Sequence, residues 1–293
     1  MDNSNQKLIL GTVQFGLDYG INNSVGKVGS QTISEILNHA YSAGVNYLDT
    51  AAAYGNAENV IGNYLNLNPD KRFKIITKLS ASNINEWKNS LVNSLSNLQV
   101  NRVNGLLFHS FQSYESMRNT KMYDHLLESK NETFSVLGVS VYTNDELEKL
   151  VNDDTIDLVQ VPFNILDNDT KRGVILRNLK EQGKVIHSRS VFLQGLFFMK
   201  YNEFPVQLKP LGRYLTEVNE IAQKSKMSLG ELALKYSISK PYIDGVLVGV
   251  ESLEQLVKNI QWVQGALDPE IVSRIDNINV EDINLLNPSA WKK

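Results

Sequence analysis

Eight short apolar runs, each followed by a segment of helical period, constrain the fold of this 293-residue chain more than any other feature. The runs are rich in leucine and β-branched residues, and each has the length of one buried strand. They span residues 7–10, 45–48, 73–77, 103–108, 135–139, 157–161, 184–187 and 245–248. This alternation is typical of a parallel sheet with helical crossovers.

The helical segments lie between these runs, at residues 32–43, 57–65, 85–98, 114–129, 144–151, 169–182, 211–224 and 253–263. Ser30 and Ser252 are predicted N-caps, and Gln255 would complete a capping box with Ser252. Gly44 and Gly183 stand where helices are expected to end. Eight such units predict a single (β/α)8 TIM barrel domain over residues 1–293. A doubly wound Rossmann sheet is the rival, but no strand is followed by a G-x-G-x-x-G turn.

Two segments are longer than a minimal barrel requires. A loop at about residues 190–212 follows the seventh run, and a C-terminal tail at about residues 265–293 follows the last helical segment. Binding residues of such barrels are concentrated in loops at the carboxyl face. We therefore expect both segments to lie over an active site.

Composition excludes several classes of function. The net charge of -3 and the scattered basic residues argue against a nucleic-acid binder. The absence of cysteine excludes disulfides and thiolate chemistry, and the four histidines lack metal-ligand spacing, so no metal site is expected. Neither a signal peptide nor an apolar run of about 18 residues is present, which predicts a cytoplasmic protein without a membrane partner.

Four ionisable residues of four types, Asp49, Tyr54, Lys78 and His109, follow strand runs. The carboxyl ends of parallel barrel strands open on one face, so these residues are expected to converge. A lysine at the buried margin of an apolar run needs a partner, and Asp49 could be that partner for Lys78. Singly, Asp49 is better explained as a cap, His109 as a loop histidine and Tyr54 as a packed aromatic. Jointly, they predict one site.

The motifs at the strand ends occur in a recognisable order. They are LGTVQFG, YLDTAAAYGNAE, ITKLS, LLFHS, GVSVY, VQVPFN, SRSVFLQGL and LVGVESLEQLVKNI, from the first strand to the eighth. In this order and spacing the chain resembles the aldo-keto reductases, barrel enzymes that reduce carbonyl compounds with a nicotinamide cofactor. The resemblance covers nearly the whole chain, and its most specific motif is the one that follows the second strand.

The resemblance implies a role for each of the four residues. Tyr54 would donate a proton to the carbonyl oxygen while hydride arrives from the nicotinamide. A free phenol is a poor acid at neutral pH, so the ammonium of Lys78 would favour the phenolate, and Asp49 would keep Lys78 charged. His109 would hydrogen-bond the carbonyl oxygen and polarise it.

Two other functions stay open on the same barrel. The first is a regulatory protein that binds the nucleotide and senses redox state, similar to the channel-associated members of the family. The second is an aldolase-like enzyme in which Lys78 forms a Schiff base with the substrate, since buried lysines can serve that chemistry.

The resemblance also implies a cofactor site. Ser140 and Gln160 would hold the nicotinamide carboxamide, and Arg189 replaces an aromatic residue that stacks on the nicotinamide in many members. A helix that begins near Ser252 would offer N–H groups to phosphate. The full predicted set is Thr12, Val13, Asp49, Ser140, Gln160, Arg189, Ser190, Phe192, Gln194, Gly249, Ser252, Gln255 and Asn259.

The chain departs from the family where the 2′-phosphate of NADP is held. Members often carry Lys or Arg at positions that match Gly249, Glu251 or Gln255, and this chain has none there. Lys258 is a nearby cation, whereas Glu251 would repel phosphate. NADPH is expected from family habit, and NADH is the alternative.

Loops after the first, fourth and seventh strands, together with the tail, form the substrate pocket in this family. Tyr19, Phe111 and Trp291 are the predicted pocket residues. Aromatic walls bind sugar rings or flat apolar groups, and Asn22 and Asn23 favour a hydroxylated carbonyl substrate such as a sugar or nucleotide-sugar ketone. The sequence does not indicate the oligomeric state.

Overall fold

The computed structural model describes residues 4–79 and 86–291. Eight parallel strands form a closed barrel in sequence order, because β1 pairs with both β2 and β8. The strands are β1 Leu8–Gly11, β2 Tyr47–Asp49, β3 Lys74–Leu79, β4 Val103–Phe108, β5 Phe134–Ser140, β6 Leu158–Pro162, β7 Val185–Arg189 and β8 Gly245–Gly249. The prediction of a (β/α)8 TIM barrel is confirmed.

Backbone pairing continues past the apolar runs at the carboxyl ends of several strands. Asp49 pairs with Gly11 and is the last residue of β2. Arg189 pairs with Pro162 and is the last residue of β7. These polar residues are therefore held by the sheet itself, which fixes their backbone more firmly than a loop would.

The helices of the described residues are α1 Val13–Gly16, α2 Ser30–Ser42, α3 Ala57–Leu67, α4 Trp87–Leu98, α5 Phe111–Met117, α6 Lys121–Glu128, α7 Asn144–Glu148, α8 Asp169–Glu181, α9 Gly212–Lys224, α10 Leu229–Ser239, α11 Leu253–Trp262 and α12 Pro269–Asp276. None of these helices is long and apolar enough to cross a membrane. Residue 85, where the third predicted helix begins, lies outside the described ranges.

Several helical assignments differ from the prediction, and α1 was not predicted. The segment 114–129 is two helices, because Thr120 is extended and serves as the N-cap of α6. Helix α10 was not predicted, although its start carries an S-x-x-E signal in which the Ser228 hydroxyl accepts from the N–H of Glu231. Helix α12 begins within the segment that the sequence suggested was a tail.

The predicted helix ends are partly correct. The Ser252 hydroxyl caps α11 by accepting from the N–H of Gln255 at 3.2 Å. The cap of α2 is Gly29, and Ser30 is already helical, so that predicted cap is wrong. Gly44 and Gly183 have φ of 83° and 79° just past α2 and α8, where a side chain would be strained.

The side chains that face the lumen of the barrel change from apolar to polar towards the carboxyl ends of β3 and β6. Ile76, Leu107 and Leu158 form a small buried cluster inside the barrel, separate from the large core under the helices. Successive side chains alternate between the two faces of a strand, so Lys78 and Gln160, two residues further on, also face the lumen. The apolar cluster therefore forms a floor in the lumen, directly below the side chains of Lys78 and Gln160.

Candidate active site

A cavity of about 560 Å³ opens at the carboxyl ends of the strands. Asp49, Tyr54, Lys78 and His109 all line it. The volume lies within the range of roughly 300–1,000 Å³ that is usual for small-molecule and cofactor sites. The structure therefore brings together the four strand-end residues that the sequence singled out.

Lys78 and Asp49 form a buried ion pair beneath Tyr54. The ammonium of Lys78 donates to Asp49 Oδ1 at 2.5 Å, to the carbonyl oxygen of Thr50 at 3.0 Å and to Tyr54 Oη at 3.4 Å. Burial alone would lower the pKa of Lys78, but Asp49 and Tyr54 raise it above its ordinary value. The lysine consequently remains an ammonium at neutral pH, with one N–H directed at the phenol.

Asp49 is held at both carboxylate oxygens. Its Oδ1 accepts from Lys78, and its Oδ2 accepts from the amide nitrogen of Gln160 at 2.8 Å. The hydroxyl of Thr12 donates to the backbone carbonyl of Asp49 at 2.9 Å. Gln160, which the sequence suggested as a partner of nicotinamide, therefore also orients the acid of the ion pair.

His109 lies against the edge of Tyr54. The two ring centroids are 5.8 Å apart and the ring planes meet at 84°. Burial, the ammonium of Lys78 and the guanidinium of Arg189 lower the pKa of His109 to about 4. At neutral pH the imidazole is therefore uncharged and has one N–H to donate.

The cavity continues from these residues to the start of α11. All but one of the residues that the sequence suggested for the cofactor line it, as do several that it did not. Ser252 is the exception, because its side chain caps the helix. The predicted residues in the lining are Thr12, Val13, Asp49, Ser140, Gln160, Arg189, Ser190, Phe192, Gln194, Gly249, Gln255 and Asn259. The additional ones include Gln14, Tyr142, Glu251, Lys258 and Trp262.

Two buried amides on the cavity wall lack protein partners. Gln14 Oε1 is buried without a hydrogen bond to any described residue. Asn259 is 4% exposed, and its side-chain amide is likewise unpaired within residues 4–79 and 86–291. Buried amides are normally satisfied, so both groups are suited to hydrogen-bond a ligand.

Polar groups surround the start of α11. The side chain of Gln255 accepts from the N–H of Glu251 at 2.8 Å, so it caps a residue before the helix and does not complete the predicted box with Ser252. Lys258 pairs with Glu254 at 2.8 Å, and both side chains are more than half exposed. Free N–H groups in the first turn of a helix favour anions.

Two loops meet across the cavity. Gln194 donates from its side chain to Tyr19 Oη at 3.0 Å, and its carbonyl accepts from the N–H of Ile21 at 3.1 Å. Ser190, Leu193 and Gln194 have φ of 61°, 47° and 54°. Such backbone strain costs on the order of 1–3 kcal/mol per residue and is frequent at ligand clamps.

The predicted substrate pocket is only partly observed. Tyr19 lines the cavity, but Phe111 and Trp291 are not among its described lining residues. Phe111 lies in the first turn of α5, where it is buried with its ring centroid 5.6 Å from that of Tyr114. Trp291 donates to the carbonyl of Leu285 at 3.2 Å, within the tail. Local packing thus turns both aromatics away from the cavity.

The long loop and the tail also differ in their positions. The loop residues that line the cavity are Ser190, Val191, Phe192, Gln194, Gly195 and Phe198, whereas none of the described tail residues 265–291 does. The tail is held at the start of α8, where the Asn168 amide donates to the carbonyls of Ile275 and Ile278, each at 2.8 Å. The described part of the tail therefore does not contribute to the cavity wall, and its position over the active-site face stays a prediction.

The sequence profile of the Aldo/keto reductase family matches residues 7–280, which include every residue of the cavity. The chain belongs to the aldo/keto reductase family. The match begins just before β1 and ends after α12, so it contains the whole barrel of this aldo/keto reductase.

Several known proteins are similar to this aldo/keto reductase. The uncharacterized oxidoreductase YqkF of Bacillus subtilis (strain 168) is 24% identical over 289 residues, which cover 89% of this chain and 91% of that protein. L-galactose dehydrogenase of Arabidopsis thaliana is 24% identical over 291 residues, with coverage of 90% and 89%. The aldo-keto reductase AKR11C1 from Bacillus halodurans, in its holo form, has a similar fold, with a TM-score of 0.71 at 18% identity over 94% of this chain and 93% of that one.

Metal ligands are not grouped in the described part of this aldo/keto reductase. Within residues 4–79 and 86–291, no three His, Asp or Glu side chains lie close enough together to hold a metal ion.

Proposed function

We propose that this aldo/keto reductase reduces the carbonyl group of a small aldehyde or ketone, with a nicotinamide cofactor bound in the cavity. The observation that carries the proposal is the contact of 3.4 Å between the Lys78 ammonium and Tyr54 Oη, with a neutral His109 beside the phenol. A proton donor, a cation that stabilises its conjugate base and a neutral hydrogen-bond donor are what carbonyl reduction requires.

The cavity has groups that suit such a cofactor. The unpaired amides of Gln14 and Asn259 offer hydrogen bonds, and the first turn of α11 offers N–H groups to phosphate. Ser140 and Gln160, at adjacent strand ends, would hold the carboxamide of the nicotinamide. When bound, the reduced nicotinamide supplies the hydride that adds to the carbonyl carbon.

The protein groups handle the accompanying proton. As the C–O π electrons move to oxygen, Tyr54 transfers its hydroxyl proton to that oxygen and the product is an alcohol. Lys78 stabilises the phenolate that is left, and Asp49 keeps Lys78 in position. The neutral imidazole of His109 donates a hydrogen bond to the same oxygen. Solvent then returns one proton to Tyr54, so each turnover consumes one proton.

The raised pKa of Lys78 argues against the Schiff-base alternative. Burial opposes the ammonium form, but Asp49 and Tyr54 more than offset that effect. A lysine nucleophile must lose its proton before it attacks a carbonyl, and such lysines are activated by a lowered pKa. An ammonium already bound to a buried carboxylate is therefore suited to stabilising charge and poorly suited to nucleophilic attack.

For the cofactor we propose NADPH, with Lys258 as the partner of the 2′-phosphate. The ion pair of Lys258 with Glu254 is exposed, and pairs of this kind contribute only about 0.3–0.5 kcal/mol, so phosphate can displace the carboxylate. Glu251 lines the same end of the cavity and opposes phosphate, which keeps NADH as the alternative.

The substrate is proposed to be polar. Tyr19, Asn22 and Gln194 line the cavity, and a sugar-like carbonyl compound would be consistent with the relative named L-galactose dehydrogenase. Asn23 contributes less than the sequence suggested, because its side chain is used within its own turn. It donates to Tyr19 O and Gly26 O and accepts from two backbone N–H groups.

The test is oxidation of NADPH, followed at 340 nm, with a panel of aldehydes and ketones. In parallel, the binding of NADPH and NADH is measured by quenching of tryptophan fluorescence. We expect turnover with at least one polar aldehyde. Tight nucleotide binding without turnover of any carbonyl would refute the reductase and favour the redox-sensing regulatory protein.

A further inference from the structure

Arg189 is a cation on the cavity wall and has no acidic partner among residues 4–79 and 86–291. Its Nη2 donates to the carbonyl of Val141 at 3.0 Å, and its guanidinium lies 4.1 Å from the ring centroid of Tyr142. A guanidinium has five N–H donors, so most of them are left for a ligand. Within the described residues, Lys78 and Lys258 on the same wall are paired with carboxylates, whereas Arg189 is not.

The charge of Arg189 acts on the end of the cavity where Tyr54 and His109 lie. It is among the causes, after burial and Lys78, that lower the pKa of His109. It also opposes burial, which raises the pKa of Tyr19 on the other side of the cavity. The guanidinium therefore acts on the space between His109 and Tyr19. Stacking of its face on the nicotinamide, as the resemblance implies, would leave in-plane N–H groups for a carbonyl compound in that space.

The side chain is also held in a defined orientation. Arg189 ends β7, its stem is half-buried, and the ring of Tyr142 and the carbonyl of Val141 hold its planar head. A fixed guanidinium matches carboxylate and phosphate groups with two parallel hydrogen bonds. Such a group, half-buried and without a countercharge, is suited to bind an anion.

We propose that Arg189 binds an anionic group, carboxylate or phosphate, on the carbonyl substrate and thereby selects anionic aldehydes and ketones. The inference rests on the proposed function, because it concerns the substrate of the same site. The pyrophosphate of the cofactor is the other source of anionic oxygen. It is the less suitable partner, because the N–H groups suited to phosphate lie at the start of α11, at the far end of the cavity.

The test compares matched carbonyl pairs that differ by the anion. Succinic semialdehyde is compared with butanal, and glyceraldehyde 3-phosphate with glyceraldehyde, so that the two pairs distinguish carboxylate from phosphate. In the wild type we expect kcat/KM for the anionic member of at least one pair to exceed that of the neutral member by about 10-fold or more. In Arg189→Met the ratio should fall by about 10- to 100-fold, mainly through KM, as for the loss of a charge-assisted hydrogen bond.

Three controls make the outcome specific. Arg189→Lys keeps the charge without the planar head and should restore part of the ratio. Arg213→Met removes an exposed arginine that is paired with Glu281 outside the cavity, and should leave the ratio unchanged. Nucleotide affinity is measured for every variant by fluorescence quenching.

Two results would overturn the proposal. One is a wild-type ratio near one for both pairs. The other is an Arg189→Met variant that loses nucleotide affinity and slows both members of each pair equally, which would assign the guanidinium to the cofactor. Turnover of other members of the carbonyl panel but of none of these four would also overturn it. Absence of turnover with the whole panel would instead contradict the proposed reductase, so the two failures are distinguishable.

Discussion

Gln160 donates a hydrogen bond of 2.8 Å to the carboxylate oxygen of Asp49 that Lys78 leaves free. The two residues are 111 positions apart, on β6 and β2, and both are almost fully buried. The amide therefore supports the ion pair from across the barrel. Its loss would leave a buried carboxylate oxygen without a partner.

Gln160→Met keeps the size of the side chain and removes the donor. We expect the free energy of unfolding to fall by about 1–3 kcal/mol, the usual cost of leaving a buried polar group unpaired. Thermal unfolding followed by circular dichroism should show a Tm lower by several degrees. Gln223→Met, on the exposed face of α9, is the matched control and should have little effect. Equal Tm values for the two variants would contradict the supporting role of the amide.

Tyr54→Phe removes the phenolic proton and little else. We expect kcat to fall by at least about 10²-fold, the lower range for loss of a general acid, while nucleotide affinity and the far-UV spectrum stay close to wild type. NADPH oxidation with the best aldehyde of the panel measures the effect. Tyr201→Phe, at an exposed position, is the control and should turn over normally. Near-normal kcat in Tyr54→Phe would remove this residue from the mechanism.

One buried and one half-buried histidine predict a loss of stability in acid. Burial lowers the pKa of His187 to about 4, and burial with Lys78 does the same for His109. An unfolded histidine titrates near pH 6.5, so between about pH 6.5 and 4 the unfolded chain binds protons that the folded chain excludes. The stabilising effect is therefore complete above about pH 6.5 and is lost as the pH falls towards 4.

The measurement is Tm against pH for the wild type and for His187→Leu, whose replacement cannot titrate. The fall in Tm between pH 6.5 and 4.5 should be smaller in this variant. His125→Leu removes an exposed histidine and should leave the slope of the wild type. A slope in His187→Leu as steep as that of the wild type would show that His187 already titrates normally in the fold.

Charge at the start of α11 should set the choice between NADPH and NADH. Lys258→Gln is expected to weaken NADPH binding by up to about 5-fold, the range of exposed ion pairs, with little effect on NADH. Glu251→Gln should tighten NADPH binding by a similar factor. Fluorescence quenching with both nucleotides measures these ratios. If neither substitution alters the ratio of the two affinities, this end of the cavity does not contact the 2′-phosphate.

The barrel and the four residues of its mouth were predictable because they depend on local patterns. Each apolar run was long enough to be one strand, and the order of strands in a barrel follows the chain. Asp49 and Lys78 follow their runs directly, so closure of the sheet was sufficient to bring them together. Helix α10 was also predictable in principle, from the capping signal at Ser228 and Glu231.

Other features depend on contacts between distant segments. No sequence pattern indicates that Gln160 binds Asp49, because the choice of partner is made by side-chain geometry inside the barrel. Phe111 and Trp291 are aromatic residues near loops, and only packing decides that they turn away from the cavity. The path of the tail likewise depends on the Asn168 amide, whose backbone partners lie more than 100 residues away.

The apolar floor made by Ile76, Leu107 and Leu158 closes the axis of the barrel below Lys78. We therefore expect water to reach the phenol of Tyr54 through the same opening that admits the carbonyl compound. In the proposed reaction, the newly formed alcohol would still occupy this opening when Tyr54 has to be reprotonated by solvent. Release of the alcohol and reprotonation of Tyr54 are thus coupled, because both use the same opening of the lumen.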